Sequence, residues 1–299
     1  VIDRPTTRLV TIQETETGEG AKMAQHKGIE LIPPHDRRAL VAGASSGLGE
    51  TYARRLADAG FDLLLVARRE SRLAKLASEL RERPSIRVET VAADLSTEPG
   101  VDSVLRSMRE DMAPTFLVYS AGFGTRRLFV DIPAGRPAQM VYLHNVAPVR
   151  LARAALPHMI ERGYGGLVLI SSLASFFTTA RYTTYSATKA FINTFCEGLH
   201  AELADEGVSV QALCPGLTRT EFFSTRDFEG FDYPHVPPSA WMDAEEVVDE
   251  SLARLKDGGP VVIPGRQNRM FVRLMTAPLL GKMILAALDK VGSERSDLW

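Results

Sequence analysis

From Arg38 onward, short apolar runs alternate with stretches in which apolar residues recur every three or four positions. The runs are Ala39–Ala42, Phe61–Ala67, Ile86–Ala92, Phe116–Tyr119, Leu167–Ile170, Val208–Leu213 and Val261–Ile263. Runs of this kind are expected of strands buried on both faces of a sheet. Leu48–Ala59, Arg72–Arg81, Val101–Met112 and Val141–Ile160 carry the helical period between them. Strands that alternate with helices predict parallel β–α–β units with helices covering both faces. The seven runs therefore predict one doubly wound parallel sheet filling residues 37–265, with no internal repeat or low-complexity tract.

The two ends have a different texture. Residues 1–36 are polar and unpatterned up to Pro33-Pro34, which predicts a flexible or loosely attached arm. Val1 is an unusual first residue, and Met23 offers another start. In Gln267–Val291, nine apolar residues fall roughly at helical spacing: Met270, Phe271, Leu274, Met275, Leu279, Leu280, Met283, Ile284 and Leu288. Pro278 should break or kink that helix. Arg269, Arg273, Lys282 and Lys290 make it basic. Residues 266–299 thus read as an amphipathic helical extension. It could pack on the domain or on a second subunit, cover the substrate, or make a weak membrane-surface contact.

Composition narrows the function classes. A formal net charge of −2 leaves no electrostatic footprint for nucleic acid. Cys196 and Cys214 form neither a disulfide framework nor a metal pair, and read as buried reduced thiols. The six histidines show no metal-ligand spacing, and His144 reads as a satisfied helix histidine. There is no charged-then-apolar leader pattern at the start and no apolar run of about 18 residues. Together these features suggest the cytoplasm.

The first apolar run leads into Gly43-Ala44-Ser45-Ser46-Gly47-Leu48-Gly49 and then a helix. Glycines here let backbone approach a pyrophosphate, and the helix N-terminus offers free N–H groups and a positive dipole end. A tight turn without ligand would look the same, although its strand–turn–helix setting favours the nucleotide reading. Arg68, at the end of the second run, lies 19 residues after Gly49, close to where an acidic residue would grip a ribose 2′-hydroxyl. An arginine there suits a 2′-phosphate, and Arg69 can add a second contact. The alternative is that both arginines are solvated. Asp94, after the third run, can accept from an adenine amino group or cap the next helix.

The fifth run ends in Ser171-Ser172, and Tyr185 and Lys189 follow within Y-S-A-T-K. Tyrosine and lysine four residues apart share one helix face. A tyrosine with pKa near 10 is a poor base at neutral pH, and a nearby ammonium should lower that value. The phenol can then give a proton to a carbonyl or take one from an alcohol, while Ser172 holds the substrate oxygen. Such pairs are common on helix surfaces. What carries the reading is the set of Ser172, Tyr185, Lys189 and the glycine turn.

These residues resemble the short-chain dehydrogenase/reductase family, in its simple single-domain branch. The resemblance implies a Rossmann-type α/β fold and oxidation or reduction with NADP(H). Ala42 replaces the usual threonine of the family's T-G-x-x-x-G-x-G. In Ser120-Ala121-Gly122, Ser120 replaces the asparagine of N-A-G, which should leave that turn looser. Ala121 and Gly122 would line the cofactor, and Lys189 would contact the nicotinamide ribose. By the same resemblance, Asn145 helps hold a relay water. Pro215-Gly216 with Thr218 and Thr220 would lie beside the nicotinamide, and the helices around Asn145 and Lys189 would pair subunits into a dimer or tetramer. The region Phe222–Trp241 would cover the substrate. Its aromatics, with Phe176 and Phe177, suggest an apolar carbonyl or alcohol, unless that loop merely packs on the core. A 3-oxoacyl thioester leads, a steroid or xenobiotic ketone follows, and a nucleotide-binding scaffold without turnover is the other class.

Overall fold

The computed structural model describes residues 29–108, 113–224 and 237–278. Six strands follow the expected runs: β1 (Arg38–Ala42), β2 (Asp62–Ala67), β3 (Val88–Ala92), β4 (Phe116–Tyr119), β5 (Gly165–Ile170) and β6 (Val208–Leu213). Two short strands, β7 (Thr218–Arg219) and β8 (Met242–Asp243), pair with each other, and β9 (Val261–Val262) returns to the main sheet. The seven-stranded sheet is parallel, in the order β3-β2-β1-β4-β5-β6-β9. It is the doubly wound, Rossmann-type α/β arrangement that the alternation of runs predicts.

Side-chain alternation explains how the sheet is covered. Ala39 and Val41 of β1, with Leu63 and Leu65 of β2, enter one core beneath α1 (Gly47–Asp58), α2 (Glu70–Leu80) and α7 (Ala244–Ala253). Leu40, Ala42, Leu64 and Val66 enter the other, beneath α3 (Glu98–Ser107), α4 (Gly135–Val141), α5 (Ala147–Arg162) and α6 (Thr183–Glu202). Strand order reverses between β1 and β4, so the loops leaving their carboxyl ends part and open a crevice.

Two expectations change. The stretch Val141–Ile160, which reads as one helix, is α4, a widened π-type turn Tyr142–Val146, and α5. Pro148 has no N–H to give, and its ring crowds the carbonyl four residues back, so the helix widens just ahead of it. The Leu143 carbonyl accepts instead from the buried Tyr119 hydroxyl at 2.7 Å. The arm expected over 1–36 is also shortened, because Ile29 and Ile32 are fully buried in the α1-side core. Thr115 Oγ1 donates to the Asp36 carbonyl (2.7 Å), and the Asp36 carboxylate accepts from Tyr164 and pairs with Arg162, both at 2.9 Å. Residues 1–28 lie outside the described residues.

At the other end, α8 spans Arg266–Thr276 and stops just before Pro278, as that proline's missing N–H requires. The rest of the expected extension lies outside the described residues. Among the described residues, no helix is long and apolar enough to cross a membrane, and no cluster of His, Cys, Asp and Glu could hold a metal ion.

Candidate active site

The crevice is a cleft of about 440 Å³, and the glycine turn forms one end of it. Gly43 has φ +83°, and a Cβ there would stand 2.6 Å from the Ala121 nitrogen, so only glycine lets the turn lie against the 120–122 segment. A Cβ on Gly49 would stand 2.2 Å from the Gly43 carbonyl oxygen, so α1 can start directly under the turn. Gly47 and Gly49 shape the site from outside the cleft, while Gly43, Ser45, Ser46 and Leu48 line it. The turn and the N-terminus of α1 form a cradle with the shape and polarity for a pyrophosphate.

Arg68 is exposed and lines the cleft, but Arg69 is the arginine that reaches the turn. Its guanidinium donates to Ser46 Oγ at 2.7 Å and Ser45 Oγ at 3.2 Å. Asp94 lines the cleft as well, with Oδ1 accepting from the Ser96 backbone (2.9 Å) and hydroxyl (2.7 Å). The cap of α3 falls to Thr97 instead, whose Oγ1 accepts from the Gly100 nitrogen at 3.2 Å.

At the other end of the cleft stand Ser172, Tyr185 and Lys189. β5 delivers Ser172 to the carboxyl end of the sheet, where its Oγ accepts from the Ala174 nitrogen at 3.2 Å. The first turns of α6 bring Tyr185 and Lys189 to the same point, both buried. Burial pushes the Tyr185 phenol up to about 12, against the opposing hydrogen bond with Ser172. Burial also brings the Lys189 ammonium down to about 8. The net shift of the phenol is therefore upward, where a lowered value was expected beside the ammonium. Lys189 Nζ donates to the Ile170 carbonyl at 2.8 Å and stands 5.6 Å from the tyrosine ring centre, and burial is the largest cause of the phenol's shift.

Asn145 does not line the cleft. Its amide donates to the Thr188 carbonyl at 2.9 Å, bracing α6 one residue before Lys189. Beside it, His144 is the satisfied helix histidine that was expected, and its two bonds join the 120–123 turn to α6. Its Nε2 accepts from the Phe123 nitrogen at 3.1 Å, and Nδ1 meets Thr188 Oγ1 at 2.9 Å. The Thr188 hydroxyl already donates to the Tyr185 carbonyl (2.8 Å), so the ring proton belongs on Nδ1. Burial and then the Lys189 charge hold His144 well below its ordinary pKa, which keeps that neutral form. The 120–123 turn is thus tied despite Ser120, which also donates its N–H to the Ala42 carbonyl at 2.8 Å.

The far side carries Pro215, Gly216, Thr218 and Thr220 along the cleft. Asn268 of α8 packs on Gly216 so closely that a Cβ there would meet its Oδ1 at 2.5 Å. Phe271 of α8 lies edge-on to Phe177, with ring centres 5.6 Å apart. The described part of the C-terminal helix therefore supports the loop beside Ser172, Tyr185 and Lys189. Phe222 packs over Tyr185, with ring centres 6.0 Å apart. Residues 225–236 of the expected covering loop lie outside the described residues.

Residues 37–229 match the short chain dehydrogenase family, well over half of the chain. The chain belongs to that family. Among solved structures, this short-chain dehydrogenase is similar to one from Sphingobium yanoikuyae in complex with NADPH. That match has 34% identity and a TM-score of 0.70, and covers 87% of this chain and 95% of the other. It is also similar to the bulky-bulky ketone specific alcohol dehydrogenase of Comamonas testosteroni, at 34% identity and TM-score 0.68, over 79% and 90% of the two chains. A curated relative, very-long-chain 3-oxoacyl-CoA reductase of Anas platyrhynchos, is 31% identical over 200 residues. That alignment covers 66% of this chain and 64% of the relative, so the chain spans just under two thirds of it.

Several contributors to this dehydrogenase site carry no sequence signal of their own. Ser171 Oγ donates to the Lys189 carbonyl at 2.9 Å. Asn193 Nδ2 donates to Ser175 Oγ at 2.8 Å, and Ser175 Oγ donates to the Ser172 carbonyl at 2.6 Å. Cys214 closes this buried chain, its thiol pushed up to about 11 by burial, as an inert structural group. Only the spatial meeting of β5, β6 and α6 reveals these roles.

Proposed function

We propose that this short-chain dehydrogenase interconverts an apolar ketone and its secondary alcohol with NADP(H), chiefly as a reductase. The observation that carries the reading is the convergence of Ser172, Tyr185 and Lys189 on one cleft whose other end is the glycine cradle. Gly43, Ser45 and Ser46 would hold the pyrophosphate, Asp94 the adenine and Lys189 the nicotinamide ribose. Pro215, Gly216, Thr218 and Thr220 would border the nicotinamide. Arg68 and Arg69 stand at the end of β2 for a 2′-phosphate, and the NADPH of the Sphingobium relative agrees with that choice.

Bound NADPH supplies the hydride. The carbonyl oxygen sits between Ser172 Oγ and the Tyr185 hydroxyl. A phenol held near 12 is protonated at neutral pH, the form a reduction consumes. Tyr185 gives its proton to the carbonyl oxygen, and the Lys189 ammonium steadies the phenolate left behind. Asn145, with a water at Lys189, would return that proton from solvent. The net change is ketone, hydride and proton to alcohol.

Phe222 over Tyr185, with Phe223 also lining the cleft, gives the substrate end an apolar face. A 3-oxoacyl thioester fits that face and agrees with the Anas relative. A bulky ketone such as a steroid is the second reading, favoured by the Comamonas relative. A dimer or tetramer would cover Val141, Val146 and Phe191, exposed apolar side chains on the segments that carry Asn145 and Lys189. The test is NADPH oxidation with 3-oxoacyl thioesters, steroid ketones and small ketones. The highest kcat/KM is expected for the thioesters. Turnover of none of them would leave the scaffold reading.

A further inference from the structure

Glu221 opens a short turn, Glu221–Ser224, directly after β7. Its carboxylate accepts from Arg69 Nη1 at 2.9 Å and from Arg72 Nη1 at 2.7 Å. Arg69 is seated at the same time on Ser45 and Ser46 of the glycine turn. A carboxylate therefore lies across two guanidinium groups at the end of β2, where an anionic substituent of a nucleotide on the cradle would arrive. The next residue, Phe222, is the one packed on Tyr185. Phe223 stands edge-on to Phe222 and to Trp241, with ring centres 5.2 and 5.5 Å away.

We propose that Glu221 is a specificity-determining residue that competes with the cofactor's 2′-phosphate for Arg69 and Arg72, and that its displacement draws Phe222 off Tyr185. The proposal rests on the reading that this site takes NADP(H). The competition has a definite winner. A phosphate monoester brings up to two charges and three acceptor oxygens, against one charge and two oxygens on the carboxylate. The Glu221 side chain is 50% exposed, and Arg69 and Arg72 are 42% and 49% exposed, so the pairs are weak and exchange at little cost. A cofactor without the phosphate leaves Glu221 in place and Phe222 over the catalytic hydroxyl. Discrimination would then act twice, in binding and in access to Tyr185.

The test uses fragments that cannot turn over. 2′,5′-ADP carries the phosphate in question, and 5′-AMP lacks it. Trp299→Phe leaves Trp241 as the sole tryptophan. In that background, calorimetry should show tighter binding of 2′,5′-ADP than of 5′-AMP, and only 2′,5′-ADP should change Trp241 emission. Glu221→Gln should bind 2′,5′-ADP about two- to fivefold tighter, the range of an exposed ion pair, with 5′-AMP binding unchanged. Unchanged or weaker binding of 2′,5′-ADP by Glu221→Gln would overturn the competition. An identical Trp241 response to both nucleotides would overturn the link to Phe222. If the unmodified site does not distinguish the two fragments at all, the NADP(H) reading falls along with this one.

Discussion

The two walls of the cleft are held in opposite ways. On the β5–α6 wall, Tyr185 and Lys189 are buried, and each group is tied to backbone: Lys189 to Ile170, Ser171 to Lys189, Thr188 to Tyr185, Asn145 to Thr188. On the Glu221–Phe223 wall, the ties are ion pairs between half-exposed side chains and edge-on aromatic contacts. The proposed proton transfer to a carbonyl needs heavy atoms held within hydrogen-bond reach, and a wall built into the core meets that need. The proposed choice among ligands needs partners that can be exchanged cheaply, and the less buried other wall offers them.

The sharpest way to break this contrast is Tyr185→Phe. The ring keeps its place between His144 and Phe222, and only the hydroxyl is lost. Turnover should fall by roughly 10²–10⁴-fold or more, with NADPH affinity unchanged in a fluorescence titration. Near-normal turnover would mean that the buried wall is structural only.

The exposed wall should control cofactor choice. Replacing one charged hydrogen bond by none costs about 1.5–3 kcal/mol, so NADPH should be preferred over NADH by at least about tenfold in kcat/KM. Because Arg69 holds Ser45 and Ser46 while Arg68 only lines the cleft, Arg69→Ala should erase most of that margin and Arg68→Ala less. Equal kcat/KM values for the two cofactors in the unmodified protein would make both arginines mere surface charges.

Lys189 sharpens the comparison through pH. Its folded value of about 8 means that the ammonium is lost above that pH, so kcat for reduction should decline by about tenfold per unit there. Stability should move the other way. Between about 8 and the ordinary lysine value of 10.5, the unfolded chain holds a proton that the folded one lacks, so this residue's contribution improves as pH rises. Thermal melts of the protein and of Lys189→Met should therefore shift in favour of the lysine protein across that window. A stability difference that does not change with pH would show that Lys189 is not desolvated.

The repeating texture of the chain already determines the architecture. A period of two or of about 3.6 is set within a few residues, and the β4 boundaries Phe116–Tyr119 coincide with the apolar run itself. The glycine turn and the Tyr185/Lys189 spacing are local as well, which is why the candidate cradle and the proposed catalytic pair are legible before any folding. Boundaries were lost where tertiary contacts override local pattern. Ile29 and Ile32 belong to a short apolar cluster, Ile29, Leu31 and Ile32, too brief to show a period, yet they fill the core, and the 142–146 turn widens around Pro148 and the Tyr119 hydroxyl.

Partnership across the chain was decided only by the tertiary structure. Arg69 rather than Arg68 reaches Ser46, because the turn after β2 aims the two side chains differently. Glu221 meets arginines about 150 residues earlier, and His144 meets Thr188 across 44. Whether burial or a neighbouring charge governs the Tyr185 phenol likewise depends on how α6 packs, not on its four-residue spacing to Lys189. Local sequence encodes periodicity and turn chemistry, whereas desolvation and long-range pairing exist only once distant segments close on one another.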